Sequence, residues 1–188
     1  MIVFVDTNVW YPVVLADLVL RSVEIGLFDL AWTDESLAEV ERVLVERKGL
    51  SARSAAVFGE QVRATAPAGR IDFAVYDTLV AAMTGPDPDD HVHAAAARGG
   101  RVDVLLTSNV ADFPEGDVGP NCRVLNPGEL FRDLVVTYPL EVRRVVTEMA
   151  AHRRRPPMAP AHILDRLDAL GLHDMVVALR QRDLDHPG

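Results

Sequence analysis

Residues 1 to 8, Met-Ile-Val-Phe-Val-Asp-Thr-Asn, contain the stretch that decides the fold. Val3, Phe4 and Val5 make a short unbroken apolar run, the pattern of a strand buried on both faces. The run ends abruptly on Asp6, Thr7 and Asn8, and apolar residues at helical spacing follow at once. In an open α/β sheet the carboxyl end of a strand is where ligands bind. A carboxylate placed there must be hydrogen-bonded, paired or metal-bound, because an ion taken from water without a partner is costly. The same residues would also serve as the cap of a helix beginning near Val9, with Pro12 in its early turns. Which role applies depends on what the rest of the chain brings to this point.

Beyond Asn8 the chain alternates. Val9 to Ile25 reads as a helix stopped at Gly26, and Phe28 to Trp32 as a short second strand. A helix follows Thr33-Asp34-Glu35-Ser36, with Ser36 and Glu39 spaced as a capping box. Ser51 to Ala66 is predicted helical, with Ala56, Val57 and Val62 on its buried face, and Ile71 to Val75 as an edge strand. Past the turn-rich Gly85-Pro86-Asp87-Pro88, Asp89 to Gly99 is an alanine-rich helix. Val102 to Leu106 is a second buried strand ending in Thr107-Ser108-Asn109, and Arg123 to Leu125 is a last strand leading into a helix over 129–135. Strands alternating with helices predict a three-layer α/β/α fold around a central parallel sheet. From Tyr138 onward there is no strand signal, only three helical stretches: 138–155, 160–170 and 173–183. The expected division is therefore a main domain over 1–135 and a small all-helical appendage over 136–188.

Composition narrows the class. No apolar run reaches the roughly 20 residues that cross a bilayer, and no basic leader precedes the first strand. A single cysteine, Cys122, excludes an internal disulfide and fits a reducing cytoplasm. The net charge of −9 is uneven. Residues 1–137 carry 21 acidic and 11 basic side chains, whereas residues 138–188 carry 7 and 8. An acidic main domain repels nucleic acid, so action on a phosphodiester would require local cations, as bound metal or an arginine patch.

Four acidic points occupy comparable places in this layout. Asp6 ends the first strand, and Glu39 lies near the start of the helix after the second. Asp87, Asp89 and Asp90 precede or open the alanine helix, and Asp112 follows the strand at 102–106. Elements that start or stop at one edge of a parallel sheet bring such side chains to one crevice. Carboxylates packed together raise one another's pKa unless a cation neutralises them, and oxygen-only donors suit Mg²⁺ or Mn²⁺. Each point also has a local reading: a capping box for Glu39, the helix dipole for Asp89 or Asp90, a turn for Asp112.

The ordered set formed by Val5-Asp6-Thr7-Asn8, the Glu39 helix, Pro86-Asp87-Pro88-Asp89-Asp90-His91-Val92 and Thr107-Ser108-Asn109-Val110-Ala111-Asp112-Phe113 resembles a PIN domain. More narrowly it resembles the VapC-like toxins of type II toxin–antitoxin modules, over residues 1 to about 134. The tail is similar to a C-terminal extension seen in one subgroup of them. The resemblance implies a metal-dependent endoribonuclease that leaves a 5′-phosphate and a 3′-hydroxyl. Asp6, Glu39, Asp89 and Asp112 would hold one or two Mg²⁺ or Mn²⁺ ions. Val92 stands three residues after Asp89, as family members place a valine or isoleucine after the ligand; Asp90 is the adjacent alternative and would share the catalytic work. Asn8, Asn109 and Thr107 would support substrate, ligand carboxylates or bound water. The resemblance further implies a small antitoxin partner, an RNA substrate and a homodimer.

Other readings have less support. His91 and His93 are two apart and do not share a helix face, which argues against a zinc site. Asp6-Thr7-Asn8 loosely matches the Asp-x-Asp of aspartyl-phosphate hydrolases, with Asn8 replacing the second acid. Arg153, Arg154 and Arg155 are candidates for RNA contact, or a solvated helix end. A housekeeping PIN ribonuclease without antitoxin and a catalytically silent PIN-like binding module are the alternatives to the toxin.

Overall fold

The computed structural model describes residues 1–152 and 158–185. In chain order its elements are β1 (Ile2–Val5), α1 (Thr7–Trp10), α2 (Val13–Glu24), β2 (Asp29–Ala31), α3 (Asp34–Lys48), α4 (Ala52–Thr65), α5 (Asp77–Val80), α6 (His91–Gly99), β3 (Val104–Leu106), α7 (Glu115–Val118), β4 (Arg123–Leu125), α8 (Pro127–Thr137), α9 (Pro139–His152), α10 (Pro160–Asp168) and α11 (His173–Asp185). The four strands form one parallel sheet in the order β2-β1-β3-β4. This is the predicted α/β class with a central parallel sheet and a helical C-terminal region. No helix among the described residues is long and apolar enough to cross a membrane.

The chain forms two compact units, residues 1–11 with 28–126 and residues 12–27 with 127–188. The first holds the whole sheet. In register, Phe4 pairs with Ala31 on one side and with Leu105 on the other. These three join Ala94, Ala95, Ala96 and Ala97 of α6 in one buried cluster. Four consecutive alanines allow this helix to lie close to the sheet, since the side chains at the contact set the spacing. In the second unit, α2 contacts α9 and α10, α8 contacts α9 and α11, and α10 contacts α11. Leu18, Val145, Met149, Ile163, Leu167 and Met175 are among its fully buried residues.

Several local expectations are corrected. The predicted helix over 9–25 is two helices, α1 and α2, because Pro12 stands in extended backbone at the start of the second. The capping box lies three residues earlier than predicted: Thr33 caps α3, and its hydroxyl and the Ser36 side chain exchange bonds with each other's backbone N–H. Glu39 is thereby released from a capping role. On α4 the buried residues are Ala55, Gly59 and Val62, while Val57 is exposed. The predicted edge strand over 71–75 reduces to one bridge between Trp32 and Arg70. Asp72 then turns the chain into a 3₁₀ turn by accepting from the Ala74 N–H.

The approach to α6 is held by Asp117. Its carboxylate accepts from the N–H groups of Thr84 and Gly85 at 2.6 and 2.9 Å, and from the Thr84 hydroxyl at 3.0 Å. A Cβ on Gly85 would lie 2.5 Å from the Asp112 carbonyl oxygen, so only glycine fits there. Burial works against the ionised Asp117, but the donated hydrogen bonds outweigh it and hold its pKa below the usual carboxylate range. A depressed native pKa stabilises the fold above the unfolded value of about 3.9 and loses that contribution as pH falls through the native value. Asp117→Ala should therefore lower stability by about 1–3 kcal/mol at pH 7. In urea unfolding the gap between wild type and variant should narrow at pH 3 and below.

Candidate metal centre

The site is built at the carboxyl edge of the sheet, around Asp6 at the end of β1. Asp6 is 2% exposed. Its Oδ1 accepts from the Thr7 N–H at 2.7 Å and from His93 Nδ1 at 2.9 Å. Its Oδ2 accepts from the Asn8 side-chain amide at 2.5 Å and the Thr107 hydroxyl at 2.7 Å. Four donors thus take up a carboxylate removed from water, and they come from three separate stretches of chain. Thr107 lies directly after β3, whose Leu106 carbonyl accepts from the Asp6 N–H at 2.9 Å. Parallel pairing of β1 and β3 therefore fixes Thr107 beside Asp6.

Asn8 ties these pieces together. Its Nδ2 also donates to Thr107 Oγ1 at 3.0 Å, and its Oδ1 accepts from the Ser108 N–H at 2.8 Å. The Asn109 N–H donates to Thr107 Oγ1 at 3.0 Å, while the residue itself is exposed. The loop after β3 is thus pinned to the loop after β1.

Asp6, Asp90 and His93 come together: one ligating atom from each lies within 4.8 Å of the other two. Glu39 is joined to this group through His93, whose Nε2 stands 3.2 Å from Glu39 Oε2. That contact is not aligned as a hydrogen bond. His93 Nε2 and Thr7 Oγ1 are the buried side-chain polar atoms left without a hydrogen-bond partner among the described residues.

The electrostatics follow from this crowding. Burial and the negative charge of Asp6, with Asp87 and Asp112 adding to it, push Asp90 up to about 6 against the pull of His93. The imidazole beside Glu39 holds that carboxyl below its ordinary value. For His93, burial opposes the charged ring, but the adjacent carboxylates of Asp6 and Glu39 prevail and raise its pKa. Asp112 follows β3 in a 3₁₀ turn and is half-buried.

The third acidic point places Asp90, not Asp89, in the cluster. Asp89 is exposed, and its N–H donates to Asp87 Oδ1 at 3.0 Å. Residues 88–90 form a 3₁₀ turn, in which successive side chains point about 120° apart, so neighbouring acids cannot both face one centre. Arg153, Arg154 and Arg155 lie outside the described residues.

His93 was not among the residues expected at the site. Its sequence signal is its distance of three from Asp90, one helical turn, rather than its distance of two from His91. His91 Nε2 instead meets the Gly85 carbonyl oxygen at 2.8 Å, a structural contact. Cys122 is away from the cluster, and burial pushes its thiol up to about 11.

A family model described as PIN domain matches residues 2–111, and one described as VapC50 C-terminal domain matches residues 127–181. A protein named "Putative ribonuclease VapC50" from Mycobacterium tuberculosis (strain ATCC 25618 / H37Rv) is 33% identical over 93 residues, covering 49% of this chain and 54% of that protein. The chain therefore spans about half the length of the curated relative it matches. No solved structure matches it significantly.

Thr107→Val removes one hydroxyl at nearly constant shape, and with it a donor to Asp6 and an acceptor for Asn8 and Asn109. Its cost in urea unfolding should be about 1–3 kcal/mol. A cost near zero would show that the network does not depend on that hydroxyl.

Proposed function

This chain belongs to the PIN-domain family, and we propose on that premise that it is a divalent-metal-dependent endoribonuclease. We propose further that it is the toxin of a type II toxin–antitoxin pair. The observation that carries this reading is the convergence of Asp6 and Asp90 on the buried His93, with Glu39 on the far side of the ring. Asp6 and Asp90 are like charges brought close together, and Thr7 Oγ1 and His93 Nε2 are buried beside them without a hydrogen-bond partner among the described residues, so the residues fit a cation. Oxygen donors of this kind suit Mg²⁺ or Mn²⁺.

Asp6, Glu39, Asp90 and Asp112 would hold the metal, with Asp90 taking the place first assigned to Asp89 because Asp89 is exposed. When bound, the metal supplies positive charge to the scissile phosphate and lowers the pKa of water. The chain's own part is preorganisation. Four donated hydrogen bonds satisfy the Asp6 carboxylate and fix its direction. Asn8 and Thr107 hold the two loops that flank the centre, and Asn109, exposed at its rim, is available to substrate.

The acidic character of residues 1–137 gives RNA little to bind away from such a centre. Contact through Arg153, Arg154 and Arg155 is a proposal from sequence. The division into a nuclease domain over 1–135 and an extension over 136–188 stands with it. We also propose a cytoplasmic homodimer partnered by a small antitoxin, in which an antitoxin arginine pairs with the carboxylates and competes with metal.

Purified protein incubated with structured RNA and Mg²⁺ or Mn²⁺ should cleave it, and EDTA should stop cleavage. Asp6→Asn should lower the rate at least about 100-fold, since even groups behind a metal ligand cost 10–100-fold when lost. Retained RNA binding without cleavage of any RNA would instead favour the silent binding module. A separate comparison tests the third point: Asp90→Asn should lose activity to a similar degree, whereas Asp89→Asn should stay within a few-fold of wild type. The reverse order would return the role to Asp89.

A further inference from the structure

The helix that follows Asp90 closes on an unusual turn. At the end of α6 the Arg101 and Val102 N–H groups bond back to the Arg98 and Ala97 carbonyls at 3.2 and 3.1 Å. Such a closure puts one residue into the left-handed region, where glycine is the usual choice. Gly99 and Gly100 stand just before it, yet the residue in that place is Arg101, with a φ of 52°. Among the described residues it is the one non-glycine with a positive φ. Backbone held in so sparse a region clusters at functional sites.

Arg98 and Arg101 are both exposed and both line a cavity of about 360 Å³. Neither makes an ion pair among the described residues, whereas Arg42, Arg63 and Arg70 of the same unit each face a carboxylate. Arg98 donates to the Gly116 carbonyl oxygen at 3.3 Å, which leaves its other N–H donors unused. Asp103, in the same wall, accepts instead from the Ile2 N–H at 2.7 Å. A second cavity, of about 640 Å³, shares Gly119, Pro120 and Cys122 with the first. It follows β4, the end strand of the sheet, and reaches Val110, Ala111 and Phe113, which flank Asp112. A groove therefore joins the turn bearing Asp112 to the two arginines. Arg98 is eight residues past Asp90, about 12 Å along a helix axis.

We propose that Arg98 and Arg101 hold a backbone phosphate of the RNA substrate, at the end of this groove away from the metal centre. The inference rests on the ribonuclease reading above and adds the path of the strand. In a main domain rich in acids, two guanidinium groups without ion pairs at one cavity are where a polyanion gains most. The planar fork of each matches phosphate oxygens in both geometry and charge. Phosphate contacts carry no base information but fix register, so the pair would set which bond lies over the centre. They also give the turn a reason to carry arginine where glycine would be the easier fit.

The test uses the full chain and, end-labelled, the structured RNA of the cleavage assay above. Arg98→Gln and Arg101→Gly should each raise KM about 10-fold, the scale of one charge-assisted hydrogen bond, while kcat stays within a few-fold. A phosphate held away from the scissile bond is held alike before and during reaction, which is the condition for a change in KM alone. Each variant should also reduce the slope of log kcat/KM against log salt by about 0.7–0.9, the counterions released by one phosphate contact. Arg47→Gln, which removes a charge from the exposed last turn of α3, should change neither quantity. In urea, Arg101→Gly should be no less stable than wild type, since glycine takes the same φ without a Cβ clash. Unchanged KM and salt slope in both variants, with wild type still cleaving, would overturn the role of the arginines and leave the ribonuclease reading intact. So would an equal rise in KM for Arg47→Gln, or a loss of stability in Arg101→Gly along with its loss of affinity. If wild type cleaves no RNA, the ribonuclease reading falls, and this inference with it.

Discussion

The carboxylate of Asp6 is nearly sealed from water at the end of the strand that occupies an interior place in the sheet. A lone buried ion costs several kcal/mol even after its surroundings relax, so its partners are obligatory. Here they are a backbone N–H one residue on, an amide two residues on, an imidazole 87 residues on and a hydroxyl 101 residues on. Only a chain that has paired β1 with β3 and laid α6 against the sheet can supply all four. Folding and assembly of the centre are therefore the same event.

The neighbouring acids add a tension that packing alone would avoid. Asp90 is raised to about 6 by burial and by the charge of Asp6. Strongly perturbed carboxyls of this kind cluster at functional sites. The surrounding structure holds these acids in place. Asp117 anchors Thr84 and Gly85, His91 bonds back to the Gly85 carbonyl, and Gly85 fits closely against the backbone of Asp112. The entrance to α6 and the turn carrying Asp112 are braced against each other by these contacts.

Much of this was readable from the chain itself. The apolar runs at Val3–Val5 and near Val104–Leu106 announced the paired strands, and the polar residues following each announced the edge where they end. The order of Asp6, Glu39, the doubled acid and Asp112 carried the family resemblance. What was misread was local competition. Ser36 and Glu39 match the capping-box pattern more closely than Thr33 and Ser36 do, but the extended backbone at Thr33 makes Thr33 the cap, with Ser36 in the place of the usual Glu. Ile71 to Val75 is apolar enough for a strand, but Asp72 captures the next turn.

The sequence by itself determined the α/β class, the parallel sheet and the acidic residues that follow its strands, because apolar periodicity and turn residues act over a few neighbours. It did not determine which acid of the pair at 89 and 90 faces the centre, or that His93 fills it. Those depend on the phase at which the 3₁₀ turn over 88–90 hands the chain to α6, and on what the sheet presents to that helix. A helix's own pattern states which of its residues share a face. The residue that meets that face, here Asp6 from 87 positions away, is settled only when the strands have paired.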